Sequence, residues 1–187
     1  MFDLNTVEDR DAVLPIDFDV SLITVLSDTI KENLPLAIAI GTEKARSEML
    51  IAPILIEIRK IKQRKISLFS GTELTVDREL GLVEICDYII SLSPEQYTVE
   101  APVLMLVEAK RADLNLGMGQ VVAEMVAAKK FNCQQKKEIH SIYGCITNGT
   151  QWRFLRLDDR TLYIDNIDRN LMPLSNIIGS LLSCLSS

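Results

Sequence analysis

The sequence predicts an α/β domain in which helices flank a mixed β-sheet. Helical and strand-like patterns follow one another in the order helix, helix, three strands, helix, two or three strands, helix. One predicted strand, 103–110, is apolar at nearly every position, which is typical of a strand covered on both faces. At 187 residues the chain is long enough for a sizeable core, and we expect one domain over residues 1–187.

Two helices are predicted in the first third of the chain. The first has Ser21 as its candidate N-cap and stops just before Pro35. The second covers residues 41–65, where Thr42 can cap the helix, acidic residues lie in the first turns and basic residues in the last. Its middle is apolar on nearly all sides, which predicts a buried helix. Pro53 lies in this apolar part and should kink the helix or open one backbone hydrogen bond.

Patterns with a period of two predict the three strands that follow. Residues 67–76 and 81–92 have the β-branched and alternating character of strands, and the turn-like residues 77–80 separate them. Residues 93–102 predict a loop that leads into the apolar strand 103–110. Three consecutive strands are therefore expected here.

The second half of the chain predicts a helix, a hairpin and a final helix. The first of these helices is expected over 116–131. Asn148-Gly149 is a strong hairpin signal and predicts a type I′ turn. The remaining elements are strands at 141–147, 151–157 and 161–165 and a helix within 171–185. That last helix is apolar on more than one side, so it could cover the core or form a dimer face.

Composition and charge exclude several classes of protein. No uninterrupted apolar stretch approaches the roughly 20 residues that span a bilayer, and the acidic start lacks a secretory signal, so we expect a cytoplasmic location and no membrane partner. The net charge of −6 disfavours nucleic-acid binding through global electrostatics. Basic residues cluster at 59–65, 110–111 and 129–137, where they could line one side of a site or be the solvated ends of helices.

Cysteine and histidine are too scattered for the common zinc and nucleophile sites. The four cysteines form no C-x-x-C pair, and the one histidine, His140, cannot complete a typical zinc set with them. We therefore expect four reduced and mostly buried thiols. His140 has no obvious nucleophile beside it, which argues against Ser-His-Asp or Cys-His catalysis. Any chemistry must come from carboxylates and lysine, with or without a metal ion.

A charged cluster is predicted where the two central strands meet. A hairpin centred in the 93–102 loop pairs residues whose numbers sum to about 195, which places Asp87 opposite Glu108. The period of two then puts Lys110 on the same face as Glu108. Two carboxylates and a lysine are costly to bury unless counter-charges offset them or they hold a cation. The pattern therefore predicts either a Mg²⁺ or Mn²⁺ site with an adjacent lysine, or an ordinary Glu108–Lys110 salt bridge.

This arrangement resembles the PD-(D/E)XK nuclease superfamily. Asp87 stands about twenty residues ahead of Glu108-Ala109-Lys110, on consecutive strands between a helix with an acidic N-terminus and a helix with a glutamine. The predicted core from 42 to about 147 has the αβββαβ order of that superfamily. Residues 42–55 and 146–157 look most like the N-terminal nuclease domain of type I restriction enzyme R subunits. The resemblance covers roughly two thirds of the chain and implies a restriction-endonuclease-like sandwich, with a hairpin and helix at 148–187 outside its core.

Carried over residue by residue, the resemblance implies a metal site and a catalytic lysine. Asp87 and Glu108 would bind Mg²⁺ or Mn²⁺, with Lys110 as the catalytic lysine. The glutamate that the family carries on the preceding helix maps best to Glu43, which would be a third ligand. Glu48 competes with Glu43, and an ideal α-helix separates the two by about 140°, so both cannot easily face one site.

Two further positions match the family in part. Gln120 corresponds to a glutamine often found on the helix after the third strand, where it would orient water or a phosphate, or be a plain solvent-facing or capping residue. It shares a helix face with Glu124 at i, i+4 spacing. Cys86 stands where the family has proline. On the hairpin, we expect Trp152 and Phe154 to be core aromatics beside solvated arginines, and stacking on a nucleic-acid strand is the alternative.

The resemblance implies a metal-dependent nuclease that hydrolyses DNA phosphodiester bonds. A non-catalytic module that keeps the nuclease fold for binding or scaffolding is the alternative, and it is consistent with the acidic charge. A protein-interaction domain in which the same residues are purely structural is a third possibility. Since no DNA-reading module is evident, a nuclease of this kind would need a homodimer or a separate targeting partner.

Overall fold

The computed structural model describes residues 3–9, 12–77 and 82–186, which form an α/β structure with one mixed eight-stranded sheet. The helices are α1 (Thr24–Ile40), α2 (Glu43–Arg46), α3 (Ala52–Ile61), α4 (Met118–Gln134) and α5 (Leu174–Cys184). The strands are β1 (Asn5–Asp9), β2 (Ser67–Asp77), β3 (Leu82–Ser91), β4 (Val103–Ala109), β5 (Ser141–Thr147), β6 (Gln151–Asp158), β7 (Thr161–Asp165) and β8 (Arg169–Asn170). The predicted order of elements is confirmed, and β1 and β8 are additional. Most of the turn predicted at 77–80 lies outside the described residues.

The first helix continues past the predicted stop. A 3₁₀ turn precedes it and is capped by Asp19, whose carboxylate accepts a hydrogen bond from the Ser21 N–H, so Ser21 is not the cap. α1 then runs through Pro35 and ends at Gly41, which has a φ of +67°. The predicted stop is wrong because Pro35 lies on the exposed side of the helix. On that side a helix tolerates the bend that proline imposes, while its inner face stays packed on the core.

The second predicted helix is one continuous helical run with a wide turn in its middle. Thr42 caps it as predicted, because its hydroxyl accepts a hydrogen bond from the Ala45 N–H. Between α2 and α3, residues Ser47–Ile51 are π-helical, and the Ala52 N–H bonds to the Ser47 carbonyl five residues earlier. Such wide turns in α-helices often occur near functional sites.

Pro53 follows directly after the π-helical turn and opens one backbone hydrogen bond, as predicted. Proline has no N–H to donate to the carbonyl four residues earlier, which is that of Met49. The side-chain amide of Asn33 on α1 donates to the Met49 carbonyl instead, at 2.9 Å. A residue of the neighbouring helix thus replaces the missing backbone donor.

The sheet has the order β1-β7-β6-β5-β4-β3-β2, and β8 pairs with β6. β2, β3 and β4 form an antiparallel meander. β4 and β5 are parallel and joined through α4. β5, β6 and β7 are again antiparallel, and β1 adds in parallel beside β7.

The register predicted for the two central strands is confirmed. Three consecutive pairs of β3 and β4 have residue numbers that sum to 195, namely Tyr88 with Val107, Ile89 with Leu106 and Ile90 with Met105. The register shifts only at Ser91, which pairs with Val103. One step beyond Tyr88 and Val107, the same register sets Asp87 opposite Glu108.

Helices cover both faces of the sheet. One hydrophobic cluster packs residues of α1, the π-helical turn, α3 and α5 against the first face. The other packs α4 against the opposite face. All seven residues of β4 are buried, as its apolar sequence predicts. The apolar side of α5 belongs to the first cluster, so this helix covers the core.

The hairpin after β5 forms where it is predicted, but its turn differs. A type I′ turn needs positive φ at both central residues. Of the Asn148-Gly149 pair only Gly149 has a positive φ, +83°. The type I′ prediction is wrong because the Asn148 side chain organises the turn: its Oδ1 accepts hydrogen bonds from the Thr150 N–H, the Thr150 hydroxyl and the Gln151 N–H.

The cysteines agree with the expectation of reduced, mostly buried thiols. All four are free; Cys86, Cys145 and Cys184 are buried, and Cys133 is exposed. Burial raises the pKa of the Cys145 and Cys184 thiols well above its usual range. Among the described residues, no helix is both long and apolar enough to cross a membrane.

Candidate active site

Asp87 of β3 and Glu108 of β4 lie one residue beyond Tyr88 and Val107, the last paired residues of these two strands. The Asp87 carboxylate accepts a hydrogen bond from the Ala109 N–H at 2.8 Å, which ties the side chain of one strand to the backbone of the next. Ala109 directly follows Glu108, and the negative charge of Asp87 contributes to raising the pKa of Glu108, so the two carboxyl groups are neighbours. The structure therefore brings together the pair that the sequence predicts.

Glu108 is a buried carboxylate with one oxygen engaged and one without a partner. Its side chain is 1% exposed, and Oε1 accepts a hydrogen bond from the Lys110 ammonium. The second oxygen, Oε2, is buried and has no hydrogen-bond partner. Burial raises the pKa of Glu108 to about 7, against the opposing effect of the Lys110 hydrogen bond and with a further increase from Asp87. A buried oxygen without a partner is costly, and a bound cation would satisfy it.

Lys110 lies just beyond the end of β4, and its ammonium has two acceptors. It bonds to Glu108 Oε1 and to Gln120 Oε1, the latter at 3.3 Å. Its backbone N–H donates to the Thr147 carbonyl of β5 at 2.8 Å, which keeps the segment in line with the sheet. Burial acts to lower the pKa of Lys110, but the hydrogen bond and charge of Glu108, with the charges of Glu43 and Asp87, outweigh it and raise this pKa.

The start of α4 approaches the two strands closely because residue 117 has no side chain. A Cβ on Gly117 would lie 2.9 Å from Ile146 Cγ2, 3.1 Å from Lys110 Cε and 3.3 Å from Glu108 Cγ. The first of these distances is below any normal contact and the others are tight. This approach places Gln120, one turn into the helix, within reach of Lys110.

The two helix glutamates, Glu43 and Glu48, line the same cavity. It has a volume of about 260 Å³ and lies between the second helical run and β3, with Asp87 and Tyr88 on its other wall. The expectation that both glutamates cannot easily face one site stays a prediction, because neither Glu108 nor Lys110 lines this cavity. The angle of about 140° belongs to an ideal α-helix, whereas this run is π-helical from Ser47, and both glutamate side chains are exposed.

The electrostatics distinguish the two glutamates. Glu43 is one of the charges that raise the pKa of Lys110. Glu48 instead contributes to the pKa of Tyr88, which burial raises above its usual value, and it forms an ion pair with Lys44 at 3.8 Å. Of the two, Glu43 is therefore the glutamate whose charge acts on Lys110.

Several polar residues at the site are not identified as such by the sequence analysis. Asn148, predicted only as a turn residue, donates from its side chain to the Ala112 carbonyl at 2.9 Å. The backbone carbonyl of Asn148 accepts a hydrogen bond of 2.9 Å from the Arg46 guanidinium on α2. These bonds join the hairpin and the helical run to the segment after Lys110. Arg46 lies three residues after Glu43, on the same helix face, and this spacing is the sequence signal that could have identified it.

Glu124 is the other residue that the sequence analysis places without assigning a role. The expected sharing of a face with Gln120 is confirmed, because Gln120 Nε2 donates to Glu124 Oε1 at 3.2 Å. Glu124 is fully buried. A continuous series of hydrogen bonds therefore runs from Glu108 through Lys110 and Gln120 to Glu124.

Of the three basic clusters only 110–111 belongs to this arrangement, through Lys110, and the hairpin aromatics lie inside the core. Residues 129–137 are at the far end of α4, roughly 20 Å from its beginning by helix length, and Arg59 and Lys60 are in the last turn of α3. Trp152 and Phe154 are fully buried, so they are core aromatics as expected. The arginines beside them are not simply solvated: Arg153 forms an ion pair with Asp168.

The carboxylates fit a cation only in part. Within the described ranges no group of three or more His, Cys, Asp and Glu side chains could hold a metal ion as they stand. Two neighbouring carboxylates and the unpartnered Oε2 of Glu108 are nevertheless hard oxygen donors of the kind that Mg²⁺ and Mn²⁺ prefer. Glu43 stays a predicted third ligand.

No protein family, no curated protein and no solved structure was found to match the chain. The site's geometry and the resemblance of its residues therefore carry the functional argument.

Proposed function

We propose that this protein is a metal-dependent nuclease that hydrolyses DNA phosphodiester bonds on a restriction-endonuclease-like fold. The observation that carries the proposal is the meeting of Asp87, Glu108 and Lys110 on neighbouring antiparallel strands, with an unpartnered oxygen on the buried Glu108. The order of α3, β2 to β4, α4 and β5, with β4 parallel to β5, supports the fold, since it is the αβββαβ order of the PD-(D/E)XK core.

The residues proposed to hold Mg²⁺ or Mn²⁺ are Asp87 and Glu108, with Glu43 as a third ligand. A divalent ion in such a site supplies a lowered pKa for bound water and a positive charge that stabilises the departing oxygen. Asp87 is already anchored by the Ala109 N–H, and Glu108 by Lys110, so both carboxylates are held in place before any cation binds.

Lys110 is proposed to orient the attacking water and to stabilise negative charge that develops on the phosphate. Its ammonium keeps two of its donors on Glu108 and Gln120, which fixes its direction and leaves a third N–H for the substrate. A cation preorganised in this way at a partly buried site stabilises a developing charge far better than one in water. Gln120 holds Lys110 from the side of α4.

Metal binding is the first test, because it requires no knowledge of the substrate. Titration calorimetry with Mn²⁺ should give a binding isotherm for the native chain and none for a folded double variant Asp87→Asn, Glu108→Gln. The matched control is Asp28→Asn, an exposed carboxylate on α1, which should bind Mn²⁺ like the native chain. Equal binding by the native chain and the double variant would contradict the assigned ligands.

Cleavage is the second test. Supercoiled, linear and single-stranded DNA would be incubated with Mg²⁺ or Mn²⁺ and either the native chain or Lys110→Met, which keeps the aliphatic stem. Loss of a preorganised charge of this kind costs roughly 100- to 1,000-fold in rate. Lys31→Met, an exposed lysine on α1, is the control and should keep native activity. A Lys110→Met variant as active as the native chain would refute the catalytic role of Lys110.

A non-catalytic module is the second candidate, and a specific observation favours it. The Lys110 ammonium already neutralises Glu108, as in an ordinary salt bridge, and the net charge of −6 repels DNA. In that case neither the native chain nor the double variant would bind Mn²⁺, with or without DNA.

A nuclease would also require a homodimer or a separate targeting partner, and this requirement is part of the proposed nuclease function.

A further inference from the structure

Glu124 stands out because, among the described residues of α4, it is the one charged side chain that is buried. Its side chain is fully buried in α4, among residues that pack against β4 and β5. Burying a carboxylate costs several kcal/mol by general estimates unless it is hydrogen-bonded or paired. A residue of this kind needs a role that an apolar side chain could not fill.

One partner of Glu124 is the amide of Gln120, one helical turn earlier. Gln120 Nε2 donates to Glu124 Oε1 at 3.2 Å, and Gln120 Oε1 accepts from Lys110 Nζ at 3.3 Å. The amide thus lies between a carboxylate that can only accept and an ammonium that can only donate. A reversed amide would set oxygen against carboxylate and NH₂ against ammonium, so both contacts would become repulsive.

We propose that Glu124 is a positioning residue that fixes the Gln120 amide with its oxygen toward Lys110 and so aims the ammonium at the reacting phosphate. This inference rests on the proposed nuclease function. Glu124 is not placed against the substrate and acts on the reaction through its contact with Gln120. Buried groups that orient catalytic or ligating side chains typically change activity by roughly 10- to 100-fold when they are removed.

The test substitution is Glu124→Gln, which keeps the shape but lets the side chain present either an oxygen or an NH₂ to Gln120. With Mg²⁺ and DNA, kcat should fall by roughly 10-fold or more, while KM for DNA stays within about twofold, because the contact acts on the chemical step. Lys130→Gln is the matched control: it removes an exposed charge from the same helix and should leave kcat and KM unchanged.

A rescue experiment separates orientation from mere packing. The double variant Gln120→Glu, Glu124→Gln exchanges the two groups, so that the carboxylate faces Lys110 and the amide donates to it from below. This variant should recover a large part of the kcat lost in Glu124→Gln. A structural role for Glu124 alone predicts no recovery. If Glu124→Gln does not fold, Glu124→Met, which removes the acceptor at similar volume, should show the same loss of kcat.

A readout independent of catalysis keeps this inference distinct from the proposed function. The side-chain NH₂ signal of Gln120 in a ¹⁵N NMR spectrum, identified by its absence in Gln120→Glu, should shift and exchange faster with solvent in Glu124→Gln. If the native chain cleaves no DNA but this signal responds, the nuclease proposal fails while the orienting contact stands. An unchanged Gln120 signal together with native kcat in Glu124→Gln would overturn the role of Glu124.

Discussion

At the scale of single residues, the candidate site depends on small features with large consequences. Glu108 is buried with one oxygen bound by Lys110 and the other without a partner. Gly117 provides the space in which α4 can come so close to both of these side chains. Gly117 has a backbone conformation in the ordinary helical region, which any residue can adopt. Its importance to the site therefore lies in the absence of a Cβ.

Gly117→Ala should disturb the site more than the fold. The added methyl would press on Ile146, and also on the side chains of Lys110 and Glu108, so these must shift by several tenths of an ångström. We expect Mn²⁺ affinity and any cleavage to fall by roughly 10-fold or more, since misplacement of this size is costly in a site, while the far-UV circular dichroism remains native.

The matched control for that substitution is two residues further along the same helix. A Cβ on Gly119 meets nothing within 4 Å. Gly119→Ala should therefore preserve metal binding and leave the free energy of unfolding unchanged or raise it by up to about 1 kcal/mol, as alanine favours helix. Equal effects of the two alanines would show that the close approach at Gly117 has no importance for the site.

At the scale of elements, the second helical run shows how a helix accommodates an internal proline. Pro53 cannot serve the Met49 carbonyl, the helix widens into a π-helical turn just before it, and Asn33 of α1 supplies the missing donor. Glu43 lies before this turn and Glu48 lies within it, and both line the cavity beside Asp87. The irregular turn and the candidate site therefore share one segment.

The contact between Asn33 and Met49 can be measured with a double-mutant cycle. Asn33→Ala leaves the Met49 carbonyl without a donor and should lower the free energy of unfolding by about 1–3 kcal/mol. Pro53→Ala restores an N–H at the position that normally serves that carbonyl. The loss caused by Asn33→Ala should then be smaller in the Pro53→Ala background, as followed by urea unfolding. Additive effects of the two substitutions would show that the Asn33 side chain does not stand in for the N–H that Pro53 lacks.

At the scale of the whole molecule, helices on both faces enclose the central strands and remove the Glu108 carboxyl group from water. Burial raises the pKa of Glu108 to about 7, from an ordinary value of 4.5. Between these two values the folded protein holds a proton that the unfolded chain has lost. The contribution of Glu108 to the free energy of unfolding therefore falls as the pH rises through this window.

This pH dependence gives a prediction for the metal-free protein in chelator. The free energy of unfolding of Glu108→Gln, measured by urea denaturation from pH 4.5 to 8, should rise relative to the native chain as the pH increases, by about 1–3 kcal/mol over the range. Glu108→Gln should also change the free energy of unfolding by a constant amount, because Lys110 loses its counter-charge. The test is therefore how the difference between the two proteins changes with pH. Parallel profiles for the two proteins would show that Glu108 does not carry a raised pKa.

The sequence by itself determined the order of the elements, the Thr42 cap, the register of the central strands and the meeting of Asp87, Glu108 and Lys110. These features follow from hydrophobic periods and short spacings, which are local properties of the chain. The tertiary structure alone decided the passage of α1 through Pro35, the Asn33 donor to Met49, the type of the Asn148 turn and the burial of Glu124. The Asn148 turn depends on hydrogen bonds from its side-chain oxygen to Thr150 and Gln151, which a hydrophobic period does not specify. The others depend on a partner that the sequence places far away or on which side of an element faces the core.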